Sequence, residues 1–269
     1  MASLHEAVNA NNVELVRSLL EAGTDPNDNE SLYHSTEHRD HACLKLLLKH
    51  GARIEGTNAL KHMLDYEDLE GAEILLQAGA KPELHWAIFR RRSAPIIERM
   101  LHYGAAPNER SHEGRSPYAH AVVGLLWDIA GVLMDRGADT TLTPFETGLG
   151  GGPMPPFDGN LLDAKQLAAQ ASMHYTDNVR RMLDAGYPVD AQGWELGATA
   201  MHWACWKGFP DLAELLLARG ASLTIEDTQF KATAEGWLDH GIENCHEPDG
   251  DYEAVRRMIK SSRQPHDQA

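Results

Sequence analysis

The stretch Leu216-Leu217-Ala218-Arg219-Gly220-Ala221 ends a helix-sized segment, and stops of this type, Leu-Leu-x-x-Gly-Ala, recur eight times along the chain. The glycines of these stops are Gly23, Gly51, Gly79, Gly104, Gly137, Gly186 and Gly220, and a last copy without glycine ends near Met258 and Ile259. A unit of two short helices cannot bury its apolar face alone and must stack on its neighbours. The sequence therefore predicts an all-α solenoid of about eight helix-turn-helix repeats.

The charge of the chain bears on its partners. The 269 residues include 40 acidic and 24 basic ones, which gives a formal net charge of −16. Affinity for nucleic acid comes largely from lysine and arginine side chains that displace counterions, so we expect no nucleic-acid partner. The basic run Arg90-Arg91-Arg92 is a local exception that is most often a solvated helix end.

Cysteine usage and the chain start indicate a cytoplasmic protein. Cys43, Cys205 and Cys245 lie far apart, without the spacing of a metal or redox motif, which favours reduced thiols. The chain opens directly with the helical pattern Ser3-Leu4-His5-Glu6-Ala7-Val8, and no apolar run is long enough to span a bilayer. We therefore expect neither a signal peptide nor a membrane partner.

The repeat resembles a known family. Thr199-Ala200-Met201-His202-Trp203-Ala204, followed by a second segment that ends at Gly220-Ala221, is similar to the ankyrin repeat, whose first helix opens with Thr-Pro-Leu-His-x-Ala. Ser3-Leu4-His5-Glu6-Ala7 and Ser116-Pro117-Tyr118 resemble it at the same offsets, whereas the copies around Asn58, Glu83 and Lys165 are degenerate. The resemblance implies that first helices line a concave face, that second helices form the convex face, and that loop fingers project from one edge.

The spacing of the glycine stops predicts the domain organisation. The intervals Gly23–Gly51 and Gly51–Gly79 are 28 residues each, shorter than the roughly 33 residues of an ankyrin unit, so the early fingers should be short or absent. The interval Gly137–Gly186 is 49 residues, and its excess lies in a Gly/Pro-rich segment that predicts a loop without helix or strand, either a linker or a lid. We expect repeats 1–5 in residues 1–142, the insertion loop in 143–161, repeats 6–8 in 162–262 and a flexible tail in 263–269.

The phase of the first helices predicts which side chains share the concave face. The family resemblance assigns a structural role to His5, His202 and His85, and the residue after that position, with those three and four further on, should line the concave face. These positions are His34, Glu37 and His38 with His41 in the second repeat, His62, Asp65 and Tyr66 in the third, Trp86, Phe89 and Arg90 in the fourth, His120, Val123 and Gly124 in the fifth, Trp203, Trp206 and Lys207 in the seventh, and Trp237 and His240 in the last.

A groove that combines imidazoles and carboxylates with tryptophans suggests a site for a small molecule. The candidate catalytic residues are His34, Glu37, His38, His62, Asp65, Tyr66 and His120, and the candidate ligand-binding residues are Trp86, Arg90, Trp203, Trp206, Lys207, Trp237 and His240. Among them His62 and Asp65 should form an acid–base pair, with His120 or Tyr66 as a second proton carrier. Arg90 and Lys207 are candidate countercharges for an anionic ligand. The reaction would be a hydrolysis or an elimination.

Two alternatives to metal-free catalysis stay open. His34-Ser35-Thr36-Glu37-His38 reads as His-x-x-Glu-His, a zinc signature, and His34, His38 and His62 could hold Zn²⁺ between adjacent repeats. The sequence favours chemistry without a cofactor over zinc. The second alternative is a non-catalytic ankyrin scaffold that binds a partner protein on its concave face.

Overall fold

A computed structural model describes residues 3–28, 30–111 and 114–263. Within these ranges it contains 18 α-helices, one short 3₁₀ turn and a single isolated β-bridge, between Glu226 and Thr233. The prediction of an all-helical fold is confirmed. None of the helices in the described ranges has the length and apolar character needed to cross a bilayer. The chain divides into two compact units, residues 1–142 and 143–269.

The first unit consists of five helix pairs. They are α1 (Leu4–Asn9) with α2 (Val13–Glu21), α3 (Ser31–His34) with α4 (Ala42–Lys49), α5 (Ala59–Asp65) with α6 (Leu69–Gln77), α7 (Leu84–Phe89) with α8 (Ala94–His102), and α9 (Pro117–Val123) with α10 (Trp127–Asp135). Each first helix packs against the first helix of the next pair. Fully buried side chains such as Leu44, Leu75 and Ile97 fill the space between the two helix layers.

The second unit contains three further pairs and two short helices that precede them. The short helices are α11 (Pro144–Leu149) and α12 (Leu161–Ala164), and the pairs are α13 (Gln166–Ser172) with α14 (Thr176–Asp184), α15 (Ala200–Lys207) with α16 (Pro210–Ala218), and α17 (Ala234–Asn244) with α18 (Tyr252–Ser262). Helices α13, α15 and α17 form one layer, and α14, α16 and α18 form the other.

The glycine stops act through their backbone conformation. All seven have φ between +79° and +95°, which a side chain would strain. At Gly51, the Gly51 N–H donates to Leu48 O (3.1 Å) and the Ala52 N–H donates to Leu47 O (3.0 Å). This pair of bonds is the Schellman arrangement, which satisfies the last carbonyl groups of a helix. Each stop therefore ends its helix locally, without help from distant residues.

The insertion segment differs from its prediction as a loop without helix. Helix α11 lies inside it, because Thr143 and Glu146 form a reciprocal capping box around a proline at the first helical position. Phe145 and Leu149 are buried, and the Arg181 guanidinium of α14 donates to Gly148 O (2.8 Å) and to Gly152 O. Most of the Gly/Pro density that excluded helix in the sequence falls after the end of α11, although Gly148 lies inside the helix. The segment packs on its own unit, and the predicted tail lies outside the described residues from position 264.

Most of the first helices are followed by a residue that is not glycine and yet has a left-handed backbone conformation, with positive φ. Asn11, His41, Glu67, Arg91, Leu125 and His174 have φ between +47° and +58°, and Gly208 occupies the same place after α15. This conformation costs an L-residue roughly 1–2 kcal/mol. Five of the side chains bond to the next repeat: Asn11 to Asp40 (2.9 Å), His41 to Asp68 (2.7 Å), Glu67 to the Ser93 N–H (2.9 Å), Arg91 to Gly124 O (3.0 Å) and His174 to Asp211 (2.8 Å). We call these five contacts the inter-repeat latches.

The His41 latch is the most buried of the described ones. His41 Nε2 donates to Asp68 Oδ2, and the other carboxylate oxygen of Asp68 accepts the Gly71 N–H (2.9 Å) at the start of α6. A Cβ atom on Gly71 would lie 2.5 Å from Met63 Sδ and 3.0 Å from His41 Nε2, so any side chain there would have to displace the buried end of Met63. Burial alone would raise the pKa of Asp68, but the bonds from Gly71 and His41 outweigh it and lower that pKa below its ordinary 3.8.

Substitution of His41 by glycine removes the hydrogen bond of the latch and, at the same time, the cost of the left-handed backbone conformation. Glycine relieves the left-handed φ, roughly 1–2 kcal/mol, but removes a hydrogen bond to a buried carboxylate, about 1.5–3 kcal/mol. Asp68 then keeps the Gly71 N–H and the Arg39 guanidinium, 3.8 Å away. We expect His41→Gly to lower the free energy of unfolding by about 1–2 kcal/mol in urea denaturation. Lys231→Gly is the matched control, because Lys231 has φ +56° and an exposed side chain, and it should not be destabilised. Unchanged or greater stability of His41→Gly would contradict the latch.

The lowered pKa of Asp68 predicts an acid-sensitive contribution to stability. A carboxyl group whose pKa is depressed in the folded state stabilises the fold above its unfolded pKa, here about 3.8. That contribution disappears as the pH falls through the lower folded pKa. We therefore expect the difference in unfolding free energy between the wild type and Asp68→Asn to be constant from pH 5 to 7 and to shrink below about pH 4. A difference that is independent of pH down to pH 3 would argue against an ionised Asp68 in the latch.

Candidate functional site

The left-handed residue that ends each first helix fixes which side chains share a face. In α15 the predicted face residues Trp203, Trp206 and Lys207 lie five, two and one positions before Gly208. The same offsets from Glu67, Arg91 and Leu125 reproduce the predicted residues of the third, fourth and fifth repeats. We call the side chains at these offsets the inner face.

In the second repeat the predicted phase is wrong by two residues. Counting back from His41 places Thr36, Arg39 and Asp40 on the inner face, and not His34, Glu37 and His38. The cause is local: α3 ends at His34 and continues as a 3₁₀ turn over Ser35–Glu37, in which side chains three residues apart eclipse one another.

His34 and His38 have separate partners. His34 Nδ1 contacts Glu37 Oε1 at 2.9 Å, and the His34 ring lies 4.8 Å from the His5 ring. His38 Nε2 donates to the carbonyl oxygen of Val8 (3.0 Å) in the preceding repeat. In the described ranges no group of three or more His, Cys, Asp or Glu side chains could hold a metal ion. The structure therefore does not assemble His34, His38 and His62 as metal ligands.

His62 is held by its neighbours in the second repeat. Thr36 Oγ1 donates its single hydrogen to Tyr33 O (2.6 Å), so it must accept from His62 Nδ1–H (2.7 Å). The rings of Tyr33 and Tyr66 lie 4.8 and 4.7 Å from the imidazole. This geometry places the proton of a neutral His62 on Nδ1 and leaves Nε2 as the basic nitrogen.

Asp65 faces the fourth repeat. Its Oδ1 accepts from Arg90 Nε (2.8 Å) and from Trp86 Nε1 (3.2 Å). The Trp86 ring is also contacted by Lys61 Nζ, 5.4 Å from the ring centroid. The predicted pair of His62 and Asp65 is not formed among these contacts, and Arg90 neutralises a carboxylate of the protein, which leaves it less available as a countercharge for a ligand.

His120 lies on the inner face but has the wrong basicity for proton transfer near neutral pH. Burial, with the nearby charges of Arg115 and His85, lowers the pKa of His120 to about 3. Its Nδ1 and that of His85 are buried without a hydrogen-bond partner in the described residues. His120 therefore stays a neutral imidazole, and its predicted role as a second proton carrier is not supported.

In the second unit the predicted ligand-binding residues form an aromatic cluster. Trp237 contacts Trp203 and Trp206 edge to face, with centroids 5.2 and 6.1 Å apart, and Trp206 lies 5.4 Å from the His240 ring. Trp203 and Trp237 are buried, so they belong to the core. Lys207 Nζ contacts Glu247 Oε2 at 2.6 Å, which satisfies the second predicted countercharge within the protein.

Sequence reasoning missed two features of the inner face. Arg39 and Thr36 were not assigned to it, and the signal that would have found them is the left-handed position of His41. Tyr66 and Phe89, which the sequence placed on the concave face, are 61% and 46% exposed on the inner face of the first unit. The Phe89 ring lies 5.9 Å from the Trp86 ring.

Comparison with known proteins identifies the repeats. A family model for ankyrin repeats in three copies matches residues 4–84, and a second, for ankyrin repeats in many copies, matches residues 167–217. Among solved structures, the human ASB11 ankyrin repeat domain has 18% sequence identity and a TM-score of 0.31, over 96% of this chain and 97% of that one. No curated protein matches the chain in sequence.

The contacts of Asp65 predict a structural effect that a free catalytic carboxylate would lack. Asp65→Ala and Arg90→Ala should each lower the free energy of unfolding by about 1 kcal/mol, because the pair joins two repeats but is partly exposed. A double-mutant cycle in urea should give a coupling energy of about 0.5–1 kcal/mol. The exposed Arg17–Glu14 pair, 3.9 Å apart within α2, is the matched control and should show less coupling. A coupling energy near zero for Asp65 and Arg90 would mean that this pair does not link the repeats.

Proposed function

Since the chain is an ankyrin-repeat protein, we propose that it is a non-catalytic binding module that holds a partner protein on the inner face of its first unit. The observation that carries this proposal is the exposure of Tyr66 and Phe89 on adjacent repeats of that face. The Phe89 ring also lies 5.9 Å from the Trp86 ring, and contiguous exposed apolar surface marks interaction sites.

The composition of this part of the inner face, which we call the patch, supports a protein partner. Tyr66, Trp86, Phe89 and Arg90 belong to residue types that dominate the energetics of protein interfaces. Trp86 and Arg90 are already fixed by Asp65, so little side-chain entropy is lost when a partner binds. The patch is thus ordered before it binds and apolar at its exposed points.

A small-molecule site with acid–base catalysis has less support. The ionisable groups of the inner face are engaged with neighbouring side chains, as at His62 with Thr36 and at Asp65 with Arg90. The basic Nε2 of His62 is the remaining candidate for a proton acceptor. The binding hypothesis uses both exposed aromatic residues, whereas the catalytic hypothesis gives a role to Tyr66 but not to Phe89.

Site-specific photo-crosslinking tests the proposal. A benzophenone side chain at position 66 of the full chain should form discrete protein adducts in an extract of the source cells. The same group at position 127, which is exposed on α10, should not form them. Tyr66→Ala/Phe89→Ala should lower the adduct yield from a probe at position 90 by about 10-fold or more, whereas the matched control Trp127→Ala/Met134→Ala should not. Equal adducts from positions 66 and 127 would refute the inner-face site.

A further inference from the structure

The basic run Arg90-Arg91-Arg92 is followed directly by a serine whose hydroxyl does not cap its helix. Ser93 is the N-cap residue of α8, a position at which a serine side chain usually accepts an N–H of the first turn. The hydroxyl of Ser116 makes that bond at the start of α9, but the hydroxyl of Ser93 makes none to α8. Ser93 is also exposed, whereas Ser116 is buried. The Ser93 hydroxyl is therefore accessible to an enzyme.

The three arginines form the turn between α7 and α8. Arg91 has φ +56°, so this segment belongs to neither helix. The Arg90 side chain is 41% exposed although it pairs with Asp65 (2.8 Å), and Arg91 is exposed as well. Exposed ion pairs contribute little stability, and surface turns held by such contacts open locally while the core stays folded. The turn can therefore present an extended segment to another protein.

The spacing of the arginines before Ser93 selects a class of enzyme. Arg90 and Arg91 lie three and two positions before the serine, and no other serine or threonine of the chain has basic residues at both positions. Protein kinases that act on basic substrates offer carboxylates to side chains at these two positions, because a guanidinium group pairs with a carboxylate through parallel hydrogen bonds. The sequence around Ser93 matches that requirement.

We propose that Ser93 is phosphorylated by a protein kinase that recognises arginines two and three positions before its acceptor serine. In the reaction the Ser93 oxygen attacks the γ-phosphorus of ATP, the bond from that phosphorus to the bridging oxygen breaks, and ADP and the hydroxyl proton leave. The product carries a phosphate with a charge of about −1.5 to −2 at neutral pH. This modification does not depend on binding at the patch.

The phosphate would lie beside Glu67, which forms the inter-repeat latch to Ser93. The Ser93 N–H donates to Glu67 Oε1 (2.9 Å), and Arg92 Nη1 lies 3.2 Å from Glu67 Oε2. A phosphate on Ser93 brings a second negative group to this point and competes with Glu67 for Arg92. Phosphorylation therefore weakens the latch between the third and fourth repeats.

Incubation of the full chain with ATP and the catalytic subunit of cAMP-dependent protein kinase tests the proposal. Mass spectrometry should locate the phosphate on Ser93, and Ser93→Ala should remove it. Arg91→Ala should lower kcat/KM about 10-fold or more, because one charge-assisted contact with the kinase is lost. The matched control Arg110→Ala removes the arginine that precedes Ser111 and should leave kcat/KM unchanged.

Two results of this assay would overturn the proposal. One is the absence of phosphate from Ser93, including its appearance only on Ser222, which has a single arginine three positions before it. The other is phosphorylation of Ser93 that Arg91→Ala does not slow.

Thermal unfolding tests the effect on the latch. The change in Tm on phosphorylation should be more negative in the wild type than in Glu67→Gln, because glutamine has the size of glutamate without its charge. Glu73→Gln is the matched control, since Glu73 pairs with Arg99 (3.4 Å) elsewhere between the same two repeats, and it should respond like the wild type. Equal changes in the wild type and Glu67→Gln would refute a coupling between the phosphate and the latch.

Discussion

The five inter-repeat latches join the turn after a first helix to the next repeat and so constrain how neighbouring helix pairs meet. After a first helix the chain must reverse within two or three residues, and a positive φ provides that reversal. Glycine would do so without strain, as Gly208 does. At His41 and His174 the strain is instead offset by a hydrogen bond to a carboxylate of the following repeat. Where the pair is buried, as at Asp68, the free energy of the hydrogen bond exceeds the cost of the left-handed conformation. Where the pair is exposed, as at Asp40, the two free energies are roughly equal.

The sequence contains enough local information for the fold but less for the phase of each repeat. The glycine stops are predictable because each needs only one residue with positive φ and two backbone hydrogen bonds, all within six residues. The phase of the second repeat is not, because a 3₁₀ turn at Ser35–Glu37 moves the face by two positions without any glycine or proline to mark it. The helix at Pro144 was hidden for a different reason. Its capping signal, Thr143 with Glu146, lies so close to the glycines beyond the helix end that the whole segment was interpreted as a loop.

The partners of ionisable side chains were the least predictable part of the site. His62 and Asp65 are three residues apart on one helix, and that spacing made them a plausible pair. Adjacent repeats, however, bring side chains of the next first helix just as close, and the Arg90 guanidinium carries a full positive charge. Asp65 therefore bonds across the repeat boundary, to residues that lie 21 and 25 positions later. Only the packed structure shows which of two equally near partners is chosen.

The same packing explains why exposed aromatic residues, and not charged ones, are the best guide to function in this chain. Carboxylates, imidazoles and guanidinium groups on the first-helix layers find partners in neighbouring repeats, and each such bond stabilises the stack and reduces the reactivity of the group. Tyr66 and Phe89 in the first unit each have one ring neighbour, His62 and Trp86, and still remain 61% and 46% exposed. Water contact with these rings remains unfavourable until another molecule covers them. A function of the first unit is therefore best sought in binding at these rings, where association yields a gain in free energy that folding has left available.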